Sequence, residues 1–323
     1  MQQTAEQPAT DSYVVRVDDY KHPQGWVDVA DKYERARHYC EQIEAGRVVY
    51  FEKSPFDLPE ADRQFLLAQR QSDFKGHKNV SYRPNQDMLR GAAASDPAQG
   101  KRLQEIMRHF SHENTRFLSE FLAPYADKWK IDFASFRPLQ EQGRALSLHK
   151  RNDLVHVDSF PSRPTNGGQI LRVFTNINSS EPRVWNITDP FPVIARKYAD
   201  DAGLPRFAAA ASSPGRALRR LVAPAFRPLG VRTIDRSPYD QFMLRFHDWL
   251  KESRDYQDNY PKVRIEFPPG ATWMVFTDVV PHAVLSGQFM LEQTYIIPPG
   301  AQVTPDKSPI RVLEAMCGKA LSN

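Results

Sequence analysis

The chain has 323 residues, is 41% hydrophobic and 25% charged, and carries a formal net charge of +4 at neutral pH. A chain of that length can bury roughly three quarters of its unfolded surface, which excludes a wholly disordered or fibrous protein. No stretch approaches the ~20 uninterrupted apolar residues of a membrane span. The polar start MQQTAEQPATDSY lacks a basic-then-apolar leader, so a soluble, cytoplasmic protein is expected.

Residues 1–12 read as a flexible tail and 13–323 as one domain. A helix is predicted from Asp31, where Tyr33, Ala36, Cys40 and Ile43 share one face and Gly46 supplies the stop. The apolar run 48–51 reads as a strand. A second short helix is expected to open at Asp57 and Pro59, since Asp caps and Pro suits a first turn. A polar loop spans 75–90, with Lys75, Lys78, Arg83 and Arg90 among Asn and Tyr. The clearest helix covers 97–122, where Leu103, Ile106, Met107, Phe110, Phe117, Leu118 and Phe121 recur at spacings of three and four.

Beyond it, strands are predicted at 136–140, 145–148, 170–176, 264–267, 272–277 and 289–297, from β-branched and aromatic runs bounded by Gly, Pro and Asn. Residues 190–261 interrupt this pattern with Ala- and Arg-rich helices and loops and read as an insertion. Short strands preceded by packing helices favour a compact antiparallel barrel or sandwich over a parallel sheet. Within the insertion, 203–234 holds six arginines and no Asp or Glu. A field of that sign attracts phosphates or an anionic membrane surface. Nucleic acid is not expected, because aromatics are not interleaved with the arginines as base stacking demands. Cys40 and Cys317, far apart and without a CxxC pair, read as structural thiols.

The string VHVDSF sets His156 and Asp158 two apart. On extended backbone, residues i and i+2 face the same way, so the imidazole and the carboxylate can converge on one cation. His282, just beyond the apolar strand 272–277, is the best third ligand. Two histidines and a carboxylate leave half an octahedron open, the pattern of non-haem Fe(II) oxygenases. His-x-Asp is common by chance, and each residue taken singly also fits a turn or a hydrogen-bonded loop. His149 and Asp153 form a competing pair in the polar turn HKRND.

A 2-oxoglutarate co-substrate needs a cation for its far carboxylate, and bidentate arginine suits that task. The place about ten residues after the distal histidine, where such enzymes often carry that cation, holds FMLEQTY with no Arg or Lys. Arg172, a charge inside the apolar strand ILRVFTNIN, is the first candidate, with an internal ion pair as its structural alternative. Arg183 and Arg144 are the other candidates.

The strings HVDSFPSRPTNGG and ILRVFTNINSSEPRVW, with HKNVSYRPNQDMLRG upstream, resemble the Kdo hydroxylases of Gram-negative bacteria over about residues 13–299. The resemblance implies a double-stranded β-helix (jelly-roll, cupin-like) core with N-terminal packing helices. It also implies Fe(II)-, 2-oxoglutarate- and O2-dependent hydroxylation of Kdo at C3, forming Ko on lipid A precursors of lipopolysaccharide. His156, Asp158 and His282 would be the iron ligands. Lys78, Asn79, Tyr82 and Arg83 are candidates for contacts with the acidic sugar. The protein would act at the inner face of the cytoplasmic membrane. A need for ascorbate and self-association are both left open. Rival readings are an oxygenase of the same chemistry on another substrate, and a non-catalytic binder of anionic glycolipid.

Overall fold

The computed structural model describes residues 12–69, 79–91, 97–143, 145–211 and 236–322. After the short strand β1 (Val14–Arg16) and the hairpin β2 (Tyr20–Lys21) and β3 (Gly25–Trp26), helix α1 spans Lys32–Glu44. Its N-cap is Asp31, whose carboxylate accepts from the backbone N–H of Tyr33 and Glu34. Ala36, Cys40 and Ile43 are buried as the periodicity predicts, whereas Tyr33 is exposed. Gly46 follows at φ +82°, where a Cβ would lie 2.5 Å from Pro190 Cβ, so both conformation and packing demand glycine. Strand β4 then covers Val48–Phe51.

Helix α2 runs Glu60–Leu67, starting later than expected. Pro59 is its extended cap residue, and Asp57 lies too far upstream to cap it. The signature HKNVSYRPNQDMLRG contributes a hairpin, β5 (Val80–Arg83) and β6 (Met88–Arg90). Helix α3 occupies Pro97–Phe121 and buries all seven apolar residues that mark its face. Strand β7 covers Lys130–Arg137 rather than 136–140, because Pro138 has no N–H with which to continue the ladder. The strand expected at 145–148 does not form: its exposed, polar surroundings offer no buried face, and Leu148–Lys150 make a 3₁₀ turn.

The next strands are β8 (Gln169–Asn176) and β9 (Arg183–Ile187). Helices α4 (Phe191–Tyr198), α5 (Leu204–Ala211), α6 (Pro238–Glu252) and α7 (Arg254–Asn259) come between β9 and β10 (Val263–Phe267). Strands β11 (Thr272–Phe276), β12 (His282–Ser286) and β13 (Met290–Ile297) and helix α8 (Pro309–Cys317) complete the chain. Arg206 is exposed on α5, and the other five arginines of 203–234 lie outside the described residues.

The large sheet has the order β1-β4-β11-β8-β13-β7-β5-β6, antiparallel at every described pairing except β1 with β4. A smaller antiparallel sheet has the order β10-β9-β12. Helices α1 and α3 cover one face of the large sheet, and the small sheet packs against the other. Strands β8 and β11 are therefore enclosed on both faces, which explains their nearly continuous apolar sequences. Between the sheets, Trp273 stacks on Phe267 and Phe174, and Trp185 meets all three edge-on. The result is the jelly-roll core with flanking helices. Among the described residues, no helix is long and apolar enough to cross a membrane.

Candidate metal centre

His156 and Asp158 lie on an extended segment that is not part of a regular ladder. On one edge, His156 exchanges both backbone hydrogen bonds with His282, at 3.1 and 2.9 Å, and Asp158 N donates to Thr277 O at 2.8 Å. On the other edge, helices replace a second strand. The Gln257 amide bonds both backbone groups of Val155, at 3.0 and 2.9 Å, and His247 Nδ1 donates to Val157 O at 2.7 Å. Partners on both sides enforce strand-like alternation, so the two side chains at i and i+2 turn inward together. His282 opens β12, whose pairing with the bridge residue His156 brings the third side chain alongside.

Both ligand rings are fixed by the same device. His156 Nδ1 lies 2.8 Å from Leu154 O, and His282 Nδ1 lies 2.9 Å from Val280 O. A carbonyl only accepts, so each Nδ1 carries the proton and each Nε2 keeps its lone pair for a metal. Trp185 stacks on His282 at 4.9 Å between ring centroids. One ligand atom from each of His156, Asp158 and His282 lies within 4.8 Å of the other two.

The electrostatics suit a cation. Burial holds His156 well below the usual imidazole range, reinforced by its histidine neighbours, and burial likewise lowers His282, so both rings are neutral, as a metal ligand must be. Burial opposes charge on Asp158, but the Arg172 guanidinium beside it outweighs that cost and keeps the carboxyl ionised. Asp158 Oδ2 is buried without a hydrogen-bond partner, 3.3 Å from Arg172 Nη1. A carboxylate oxygen left in this state beside two imidazole lone pairs is a donor set that fits Fe(II).

The three groups sit in a pocket of about 350 Å³ whose other walls combine cations, Arg137, Lys150, Arg172, Arg183 and Lys251, with apolar residues such as Phe160 and Trp185. Arg172, on β8, has Nη1 3.3 Å from both Asp158 Oδ2 and Glu292 Oε1. Glu292 also pairs with Arg137, so the position where sequence reasoning looked for a cation carries instead the carboxylate that holds two arginines. Arg183, on β9, is 1% exposed. Its Nη1 donates to Gly287 O at 3.2 Å, Nη2 is 3.6 Å from Glu141 Oε1, and Nε has no hydrogen-bond partner. Burial pulls this guanidinium down to about 10.

Asn79 lines the pocket. Tyr82 is buried and donates to Asp87 at 2.8 Å, while Arg83 stacks over Phe133. Lys78 and Arg144 lie outside the described residues. His149 and Asp153 do not join the metal group: His149 pairs with Glu252 and Asp153 with Arg151 at the surface. Sequence reasoning passed over His247 and Lys251, which α6 presents one turn apart to the pocket. Their i, i+4 spacing was a readable signal, but which face of α6 turns inward depends on tertiary packing.

Asp278, in the turn leading to His282, accepts from Ile170 N at 2.9 Å through Oδ1, while Oδ2 is buried without a partner. Burial pushes this carboxyl up to about 7. An unfolded aspartate loses its proton near 4, so between pH 4 and 7 the folded state holds an extra proton and stability falls as pH rises. Asp278→Asn removes that dependence. Relative to the parent, its unfolding free energy should gain about 3 kcal/mol between pH 5 and pH 8. Denaturant melts at both pH values check this; a constant difference would contradict it.

A family model described as 3-deoxy-D-manno-oct-2-ulosonic acid (Kdo) hydroxylase matches residues 27–320. Among solved structures, the Kdo hydroxylase KdoO, a non-heme Fe(II) alphaketoglutarate-dependent dioxygenase in complex with alphaketoglutarate and Fe(III), is 33% identical. That match covers 96% of this chain and 97% of that one, with a TM-score of 0.80. The cobalt(II) complex of KdoO matches at 34% identity over the same shares, with a TM-score of 0.81. No curated protein matches the chain. With the family model spanning nearly its whole length and a solved member superposing throughout, the chain belongs to the Kdo hydroxylase family.

Proposed function

We propose that the protein is an Fe(II)- and 2-oxoglutarate-dependent dioxygenase that hydroxylates Kdo at C3 on a lipid A precursor, forming Ko. The observation that carries this reading is the convergence of His156, Asp158 and His282 within 4.8 Å at a buried, cationic pocket. His156 and His282 would hold Fe(II) through Nε2, and Asp158 through a carboxylate oxygen. The bound metal supplies O2 activation coupled to decarboxylation of 2-oxoglutarate to succinate and CO2.

The chain's own residues determine what lies beside the metal. Arg183 shares the inward face of β9 with Trp185 and Ile187, and Ile187 pairs with His282 across the ladder. Four residues of strand separate Arg183 from that pairing, about 13 Å of backbone. A buried guanidinium with an unused Nε at that remove suits the far carboxylate of 2-oxoglutarate. Arg172 also has an Nε without a hydrogen-bond partner, but its Nη1 lies 3.3 Å from the metal carboxylate Asp158, whereas Arg183 pairs with Glu141 instead, so Arg172 orients Asp158 and adds positive charge toward the acidic sugar. Trp185 and the sheet packing behind it exclude water from His282. Lys251 and Asn79 offer hydrogen bonds to the sugar carboxylate and hydroxyls.

Succinate release in the presence of Fe(II), stimulated by Kdo-bearing lipid and accompanied by one added oxygen on Kdo, tests the assignment. Stimulation by peptides instead would move the substrate elsewhere. Absence of any Fe(II)-dependent 2-oxoglutarate consumption would leave a glycolipid-binding role.

The substrate is amphiphilic, and the stretch ALRRLVAPAF mixes arginines with Leu, Val and Phe. Peripheral contact with the anionic cytoplasmic leaflet follows from that composition, at about 1 kcal/mol per near-surface cation. Changing Arg216, Arg219 and Arg220 together to Glu should abolish co-sedimentation with anionic vesicles; unchanged partitioning would reject the contact.

A further inference from the structure

Beyond the metal pocket, on the far side of Phe160 and Arg163, a second hollow of about 320 Å³ opens between the loop after Asp158 and the start of β7. It shares Phe160 with the metal pocket. It shares Arg163 with a shallow trench that also carries Arg137 and Arg172. The three hollows therefore adjoin along one basic surface.

Arg163 divides them and is held in place from several sides. Its guanidinium lies over the rings of Phe133 at 4.2 Å and Phe160 at 4.4 Å, and Nη1 is 3.1 Å from Asp132 Oδ1. Its Nε is buried without a hydrogen-bond partner. The loop that carries it is pinned to α6, since Asp240 accepts from the backbone N–H of Thr165 at 2.8 Å and of Asn166 at 3.1 Å. Lys128 and Lys130 are exposed at the rim, Lys128 with its Nζ donating to Pro124 O at 2.9 Å, so the lining carries three cations, with Arg163, and one carboxylate, Asp132. Trp129 and Phe160 add flat apolar walls. Cations beside aromatic faces are the chemistry of an acidic or phosphorylated sugar ring, whose C–H face is apolar and whose substituent is anionic.

We infer that this hollow is a second anion subsite, which binds a further carboxylate or phosphate of the same glycolipid whose Kdo lies at the metal pocket. The inference rests on the function proposed above and assigns the glycolipid a path along the surface. Its energetic contribution is to substrate binding, far from the reacting carbon, so removing it raises KM and leaves kcat unchanged.

The test compares the parent with Lys128→Glu/Lys130→Glu, two exposed changes, and with Arg163→Met. Substrates are a Kdo methyl glycoside, the Kdo-bearing lipid A precursor, and the same lipid after phosphatase treatment. The variants should raise KM for the intact glycolipid about tenfold, with kcat within about twofold and KM for the small glycoside unchanged. Binding of metal-free protein to the glycolipid, followed by calorimetry, should weaken by the same factor. If the dephosphorylated lipid gives the parent the KM of the variants, the anion is a phosphate. If it keeps the parent's KM while the variants remain impaired, the anion is a carboxylate on a second sugar. An unchanged KM for the glycolipid, or an equal rise for the methyl glycoside, would overturn the subsite. Failure of the parent itself to turn over any Kdo substrate would overturn the proposed function instead.

Discussion

Replacing His156 or Asp158 by alanine should reduce Kdo-stimulated succinate release more than about 100-fold, because loss of a mere outer-shell partner of a metal ligand already costs 10–100-fold. The fold should survive. The segment carrying both residues is held by backbone bonds to His282, Thr277, Gln257 and His247, all of which alanine retains. In Asp158→Ala, Arg172 keeps Glu292 as its partner. Iron titration of the metal-free variants by calorimetry, with circular dichroism as the control for folding, separates lost ligation from lost structure. Near-parental Ko formation by either variant would refute the ligand assignment.

A comparable effect is expected at the other end of the co-substrate. Arg183→Leu should raise KM for 2-oxoglutarate by about 100-fold, the equivalent of roughly 3 kcal/mol for a buried charge-assisted pair, while iron affinity stays within a few fold. Arg183→Lys keeps the charge but loses the planar fork, and should fall between the two. Arg172→Leu should show the converse: weaker iron binding, because Asp158 loses the guanidinium that keeps its carboxylate ionised and oriented. A steep rise in the 2-oxoglutarate KM for Arg172→Leu alone would transfer the anchoring role to Arg172.

The helices were legible where one face is apolar and the other polar. In α3, three- and four-residue apolar spacing and burial coincide from Leu103 to Phe110 and again from Phe117 to Phe121. Strands enclosed on both faces, β8 and β11, announce themselves by continuous apolar runs. Strand β9 escaped because five residues between Pro182 and Thr188 carry too little periodicity, and β12 because its first residue already serves the site. The convergence of His156 and Asp158 was readable because spacing of two has one meaning on extended backbone. What holds that backbone extended was not, since Gln257 and His247 approach from helices about 90 to 100 residues downstream. Glu292 shows the same limit, because a carboxylate in a strand reveals neither Arg137 nor Arg172 as its partner.

The helical brace on residues 155–157 has a consequence for biosynthesis. Synthesis from the N-terminus delivers His156 and Asp158 well before α6, α7 and β12 leave the ribosome. Until those arrive, the nascent segment has unpaired edges and no route to a defined shape. On the ligand assignment proposed above, iron capture would be confined to nearly full-length chains, and a product truncated before residue 282 would emerge as a scaffold without its third ligand.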